Sequence, residues 1–170
     1  RNVEDLPSLK ASVANFALSC ANKLRSQRAV SSSVTVFLYS NRFRDDLEQY
    51  ENADTFYFLT PTSDSLEITK AALQILQNIY RPGIQYKKTG VVFGRISSSD
   101  IIQQDLFDSI PNRPQRMELM KTIDSLNHRY GPKTIGLVVE ESRERNWHVK
   151  SEFRSPNYLT DINEILAIKI

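Results

Sequence analysis

Cysteine is nearly absent. Cys20 is the only one among 170 residues, so no disulfide can form within the chain. A thiol-poor sequence of this kind suits a reducing compartment. Histidine is almost as scarce. His128 and His148 have no cysteine cluster beside them, which leaves a tetrahedral zinc site without ligands. Glycine is down to five, and none of them forms a phosphate-cradling loop or a nucleophile elbow. No apolar run reaches membrane length and no secretory signal pattern is present. The charge excess is also small, at +2. It neither requires nor excludes a polyanionic partner. What remains is a mix of 40% hydrophobic and 25% charged residues, the composition of a globular protein with one ordinary domain or two small ones. The chain opens at Arg1 without Met, from which we expect a piece of a longer protein.

Catalysis finds little support in the sequence. Glu4-Asp5, Asp45-Asp46 and Glu140-Glu141 are adjacent carboxylates, but two-metal chemistry needs carboxylates converging from separate elements. These pairs read as turn or surface charge. The distribution of charge is more informative. Residues 1–98 carry 12 basic and 9 acidic side chains, a balance of +3, whereas residues 99–170 carry 10 and 11, a balance of −1. A phosphate-binding surface is therefore expected in the first part.

Periodicity organises that part. Leu6, Leu9, Val13, Phe16, Ala17, Cys20 and Leu24 step by three and four and predict a helix with one apolar stripe. Pro7 is tolerated in its first turn. Cys20, on the stripe, is expected to be a buried thiol. Lys10, Lys23, Arg25 and Arg28 are expected on the solvent side. Val34–Tyr39, Thr55–Leu59 and Tyr86–Ile96 are rich in β-branched and aromatic residues and predict strands. A polar stretch, 40–54, separates the first two. Asp64 with Glu67 three residues later has a capping-box pattern, opening a helix with Ile68, Ala72, Ile75, Leu76 and Ile79 on one face; Pro82-Gly83 ends it. Residues 1–97 thus predict an α+β unit: an antiparallel sheet with two helices on one face, of βαββαβ type but lacking its first strand.

Residues 98–113 read as a linker. Residues 114–170 predict a second, small α+β unit. Its helix carries Met117, Met120, Ile123, Leu126 and Tyr130 at helical spacing and stops at Gly131-Pro132. Strands at Ile135–Val139 and Trp147–Phe153 follow, with Trp147 expected in the core of that unit.

These parts, in this order, resemble the C-terminal region of the UmuC group of Y-family translesion DNA polymerases. Thr60-Pro61-Thr62 and Lys87-Lys88-Thr89-Gly90-Val91 sit where the little-finger domain of that family has similar segments. Asn127-His128-Arg129-Tyr130-Gly131, then Trp147, then Ser155-Pro156-Asn157-Tyr158 resemble the signature of its small closing domain. Leu159 stands where a threonine is expected, and Ile162 where an aromatic residue is expected. Between the two units, Gln103-Gln104-Asp105-Leu106-Phe107 is similar to the peptide by which bacterial DNA polymerases hold the sliding clamp.

The resemblance implies roles. Arg42, Arg44, Lys87, Lys88 and Arg95, with backbone and side chains at Thr60 and Thr62, would bind primer-template DNA by its phosphates, without reading sequence. Gln103 would hydrogen-bond at the rim of the clamp pocket, Asp105 would help set the turn, and Leu106 and Phe107 would fill the pocket. Burying two such side chains yields roughly 3–6 kcal/mol gross. A RecA filament and a UmuD-type dimer are further partners implied for residues 114–170. The palm and its Mg2+-binding carboxylates lie outside the sequence, so neither polymerisation nor a cofactor is expected of it. A cytoplasmic place at the bacterial nucleoid, in the SOS response, follows from the same resemblance. The competing expectation is a protein-interaction module whose sheet face takes a protein rather than DNA.

Overall fold

The computed structural model of the protein describes residues 2–100, 102, 108, 110–131 and 134–136. The first helix, α1 (Leu6–Ser26), is capped by Asp5, whose carboxylate accepts from the Ser8 amide at 2.8 Å. That hydrogen bond holds the Asp5 carboxyl below its ordinary pKa. The buried stripe is Leu9, Val13, Ala17, Ala21 and Leu24, with Ala11, Ala14 and small polar residues beside it. Phe16, expected on the stripe, is more than a third exposed, and Cys20 is half-buried rather than buried. The reason is lateral: α1 packs against a second helix as well as the sheet, so small alanines rather than Phe16 occupy the crowded side.

Strand β1 (Ala29–Ser40) lies at the centre of a three-stranded sheet, between β2 (Glu51–Thr62) and β3 (Tyr86–Ser98). Both neighbours run antiparallel to it. Each strand is longer than its hydrophobic kernel suggests. β2 begins with Glu51, Asn52, Ala53 and Asp54, all exposed. Such a polar run reads as loop, but on an edge strand it also discourages pairing with another chain. Helix α2 (Ser65–Ile79) buries Ile68, Ala72, Ile75, Leu76 and Ile79, as their spacing requires. Asp64 caps it through the Leu66 and Glu67 amides. Glu67 does not close the box; its carboxylate is taken by Arg113.

The two helices cover one face of the sheet, over Val34, Val36 and Leu38 of β1. Phe58 and Tyr86 complete the core from the flanking strands. The fold is α+β, a three-stranded antiparallel sheet with helices on one face, as expected. The place of a strand before α1 is marked by a single bridge: Val3 exchanges both backbone hydrogen bonds with Tyr86 at 2.9 Å, on the outer side of β3.

Helix α3 (Arg113–Tyr130) has a different kind of seat. Of its expected apolar stripe only Met120 is buried; Met117 and Tyr130 are largely exposed. A cavity of about 210 Å³ remains between its start, the end of β2 and Ile102. Arginines hold it instead. Arg113 binds both Glu67 and Asp108 through its guanidinium (3.0 Å to each). Arg116 reaches Asp64 at 2.6 Å. Arg25 of α1, only 11% exposed, binds Asp124 of α3 at 2.6 Å and donates to the Ser63 carbonyl. Arg25 is therefore not a solvent-side cation: the carboxylate of α3 and the end of β2 enclose it. The strands expected at 135–139 and 147–153 lie outside the described residues, except for Ile135 and Gly136, which are not in a strand.

Candidate nucleic-acid interface

Alternation along β1 decides what the uncovered face of the sheet carries. Val34, Val36 and Leu38 point toward the helices, so Ser33, Thr35, Phe37 and Tyr39 point away. Register adds their partners. Ser33 pairs with Tyr57 and Gly94, Thr35 with Thr55 and Val92, Phe37 with Ala53 and Gly90, and Tyr39 with Glu51 and Lys88. Tyr57, Val92 and Ile96 are each more than half exposed. Among the described residues no helix lies over this face.

The floor is built for flat-lying rings. A Cβ added at Gly90 would stand 2.5 Å from the Phe37 Cζ atom, so the Phe37 ring rests where a side chain would otherwise be. Tyr39 lies beside it, centroids 4.9 Å apart, and the Lys88 ammonium sits 5.9 Å from the Phe37 centroid. Four residues along the strands, Arg95 places its guanidinium 5.1 Å from the centre of the Tyr57 ring. It reaches across the row formed by Gly94 and Ser33. Arg95 has φ +52°, a left-handed conformation that costs a non-glycine residue roughly 1–2 kcal/mol. Strain of this kind collects at functional positions.

The residues expected to bind DNA divide into groups. Lys88 and Arg95 are brought to the open face, and Lys87 lies exposed next to Lys88. No carboxylate among the described residues forms an ion pair with these three. Arg42 sits just past β1 and pairs loosely with Glu51 at 3.6 Å. Arg44, in the following turn, is engaged by Asp46 with two contacts of 2.6 Å. That hydrogen bond raises the arginine's pKa and lowers the aspartate's. Thr60 and Thr62 are buried. The Thr60 hydroxyl serves Asp108, and that of Thr62 accepts from the Asp64 amide. The backbone there is no freer: Thr60, Thr62 and Ser63 are buried as whole residues, the Ser63 carbonyl accepts from Arg25, and Pro61 has no N–H, so the expected DNA contacts at Thr60 and Thr62 are not borne out. Gln103, Asp105, Leu106 and Phe107 lie outside the described residues. Phe37, Tyr39 and Tyr57 were not singled out from sequence, although the alternation of Val34–Tyr39 already places Phe37 and Tyr39 opposite the core.

The described residues include no group of His, Cys, Asp and Glu able to hold a metal ion, and no helix long and apolar enough to cross a membrane.

Residues 1–106 match the impB/mucB/samB family C-terminal domain. The chain belongs to this family. Residues 117–168 match a domain of unknown function (DUF4113), so helix α3 begins just before the second match. Over 167 residues the chain is 31% identical to Protein UmuC of Salmonella typhimurium, covering 98% of this chain and 39% of that protein. It is 32% identical over 163 residues to Protein ImpB of the same organism (96% and 38%). It is 31% identical over 165 residues to Protein MucB of Escherichia coli (97% and 38%). The chain thus spans about two fifths of the length of these relatives. In this chain the sheet face left uncovered among the described residues carries two ring–cation pairs, Phe37 with Lys88 and Tyr57 with Arg95.

Proposed function

We propose that this chain is the DNA-gripping and clamp-tethering part of an SOS translesion DNA polymerase, active in DNA repair and damage tolerance and not itself catalytic. The observation that carries the reading is the uncovered sheet face. It presents Lys88 and Arg95, free of carboxylate partners among the described residues, in a chain of the impB/mucB/samB family. Cations on a flat sheet bind phosphates by charge and carry no base information. A polymerase that must pass damaged templates needs that indifference.

The tether is assigned to Gln103, Asp105, Leu106 and Phe107, on their likeness to clamp-binding peptides. A RecA filament and a UmuD-type dimer are assigned to residues 114–170 on the same family likeness, and the site of action to the nucleoid. Two weak attachments, to DNA and to clamp, reinforce each other through effective concentration.

Binding to a primer-template of random sequence tests the grip. It should weaken steeply with salt, and Lys88→Gln with Arg95→Gln should weaken it at every sequence alike. Absence of binding at low salt would leave the sheet face to a protein partner. For the tether, Leu106→Ala with Phe107→Ala should abolish capture of the clamp and leave DNA affinity unchanged; a double variant that still holds clamp refutes the assignment.

A further inference from the structure

A backbone grip uses cations, and it has no use for the rings that share this face. The Phe37 ring lies over Gly90 with Lys88 above it. Tyr57 is 59% exposed with the Arg95 guanidinium over its ring. The two ring–cation pairs are four residues apart along β1, about 13 Å at 3.3 Å per residue. They are far enough apart to take separate bases. Between them the floor is shallow and of mixed polarity: the Thr35 and Thr55 hydroxyls share a hydrogen bond of 2.7 Å beside the exposed Val92, and Ala53 and Ser33 leave no bulk. The carboxylate facing this side, Glu51, is answered by Arg42, so the face is positive.

We propose that the open sheet face is a stacking platform for single-stranded DNA: unpaired bases take the Phe37 and Tyr57 ring faces in place of the Lys88 and Arg95 head groups, which swing out onto the adjoining phosphates. Flat rings interleaved with cations are what single strands engage, since every base offers a π-face and the backbone offers charge. In a duplex the base faces are already stacked on each other, so duplex would use only the cations. The inference rests on the grip reading for its ligand class and adds a preference within it: template with unpaired bases over continuous duplex.

The test compares a labelled oligothymidylate with a base-free strand of the same length and charge, at equal salt, on the whole chain. The oligothymidylate should bind about tenfold more tightly or better, one stacked base being worth that much. Tyr57→Leu should remove one stacked base's share of that difference, about tenfold, and leave the base-free strand and a continuous blunt duplex unaffected; Phe37→Leu should remove the other share. Tyr57 is exposed, so its replacement reads out even where the Phe37 variant folds poorly. Equal binding of the two strands overturns the proposal. So does a Tyr57→Leu variant that loses both equally, or tighter binding of oligouridylate than of oligothymidylate. The grip has its own signature: if Lys88→Gln with Arg95→Gln leaves duplex binding untouched while the base preference persists, the grip reading fails and the platform stands. Duplex binding without base preference is the converse.

Discussion

Leu38 has no exposed surface and lies beneath the helices at the centre of the sheet. Leu38→Ala should cost about 2–5 kcal/mol, the range for a large-to-small change at a core that cannot collapse, read as a lower midpoint of urea unfolding at unchanged slope. Arg95 should behave differently. Its φ of +52° is adopted by glycine without strain. Arg95→Gly removes roughly 1–2 kcal/mol of strain and loses a cation–π contact of about 0.5–1 kcal/mol. The extra freedom of glycine in the unfolded chain costs a further ~0.5–1 kcal/mol, so the variant should unfold at nearly unchanged urea while binding DNA less tightly. A residue that strains the backbone and is useful to the site is the pattern expected where function dictates the side chain. Single residues were unevenly legible in the sequence. The family resemblance and a place in the last expected strand drew attention to Lys88 and Arg95. Charge could not separate them from Arg44, which Asp46 occupies, or from Arg25, enclosed by Asp124. A cation's availability depends on which carboxylate folds next to it.

Helix α3 shows the same dependence for an element. Its spacing of Met117, Met120, Ile123, Leu126 and Tyr130 announced a helix, and α3 spans Arg113–Tyr130. The seat was not legible, because the groups that hold it are Asp64, Glu67 and Asp108 of other segments. Arg113→Gln leaves Glu67 and Asp108 without their cation. We expect a loss of about 1–3 kcal/mol, seen as faster amide exchange in α3 while α1 and β1 keep their protection. Acid should act through the same contact. The Arg113 guanidinium, hydrogen-bonded to Asp108, holds that carboxyl well below the ordinary carboxylate range. Its contribution is complete above the ordinary value, about 3.9, and is lost as the pH falls toward the lowered one. The methyl resonances of Met117 and Met120 should therefore hold steady from neutral pH to about 4 and shift below it. Burial opposes the charge of Arg113 itself, but its hydrogen bonds to Asp108 and Glu67 outweigh that and raise its pKa, so the arginine stays charged throughout.

Among the described residues one face of the sheet is sealed by α1 and α2 and the other is left open. If Lys87, Lys88 and Arg95 each neutralise one phosphate, log affinity for DNA should fall against log salt with a slope of about −2 to −3; a slope near zero would assign the face to an uncharged ligand. The sequence by itself determined the α+β class, the order of the elements and the likeness to a family. Those follow from local periodicity, since a run of residues declares its own helix or strand by which positions must be buried. It also determined that Phe37 and Tyr39 share a side opposite Val36 and Leu38, because strand alternation is a property of the chain. The tertiary structure decided which face stays open, that the ring of Tyr57 on β2 meets Arg95 of β3, and that three arginines seat α3. These are contacts between residues tens of positions apart. Their distances depend on strand order, register and close packing, which no local pattern records.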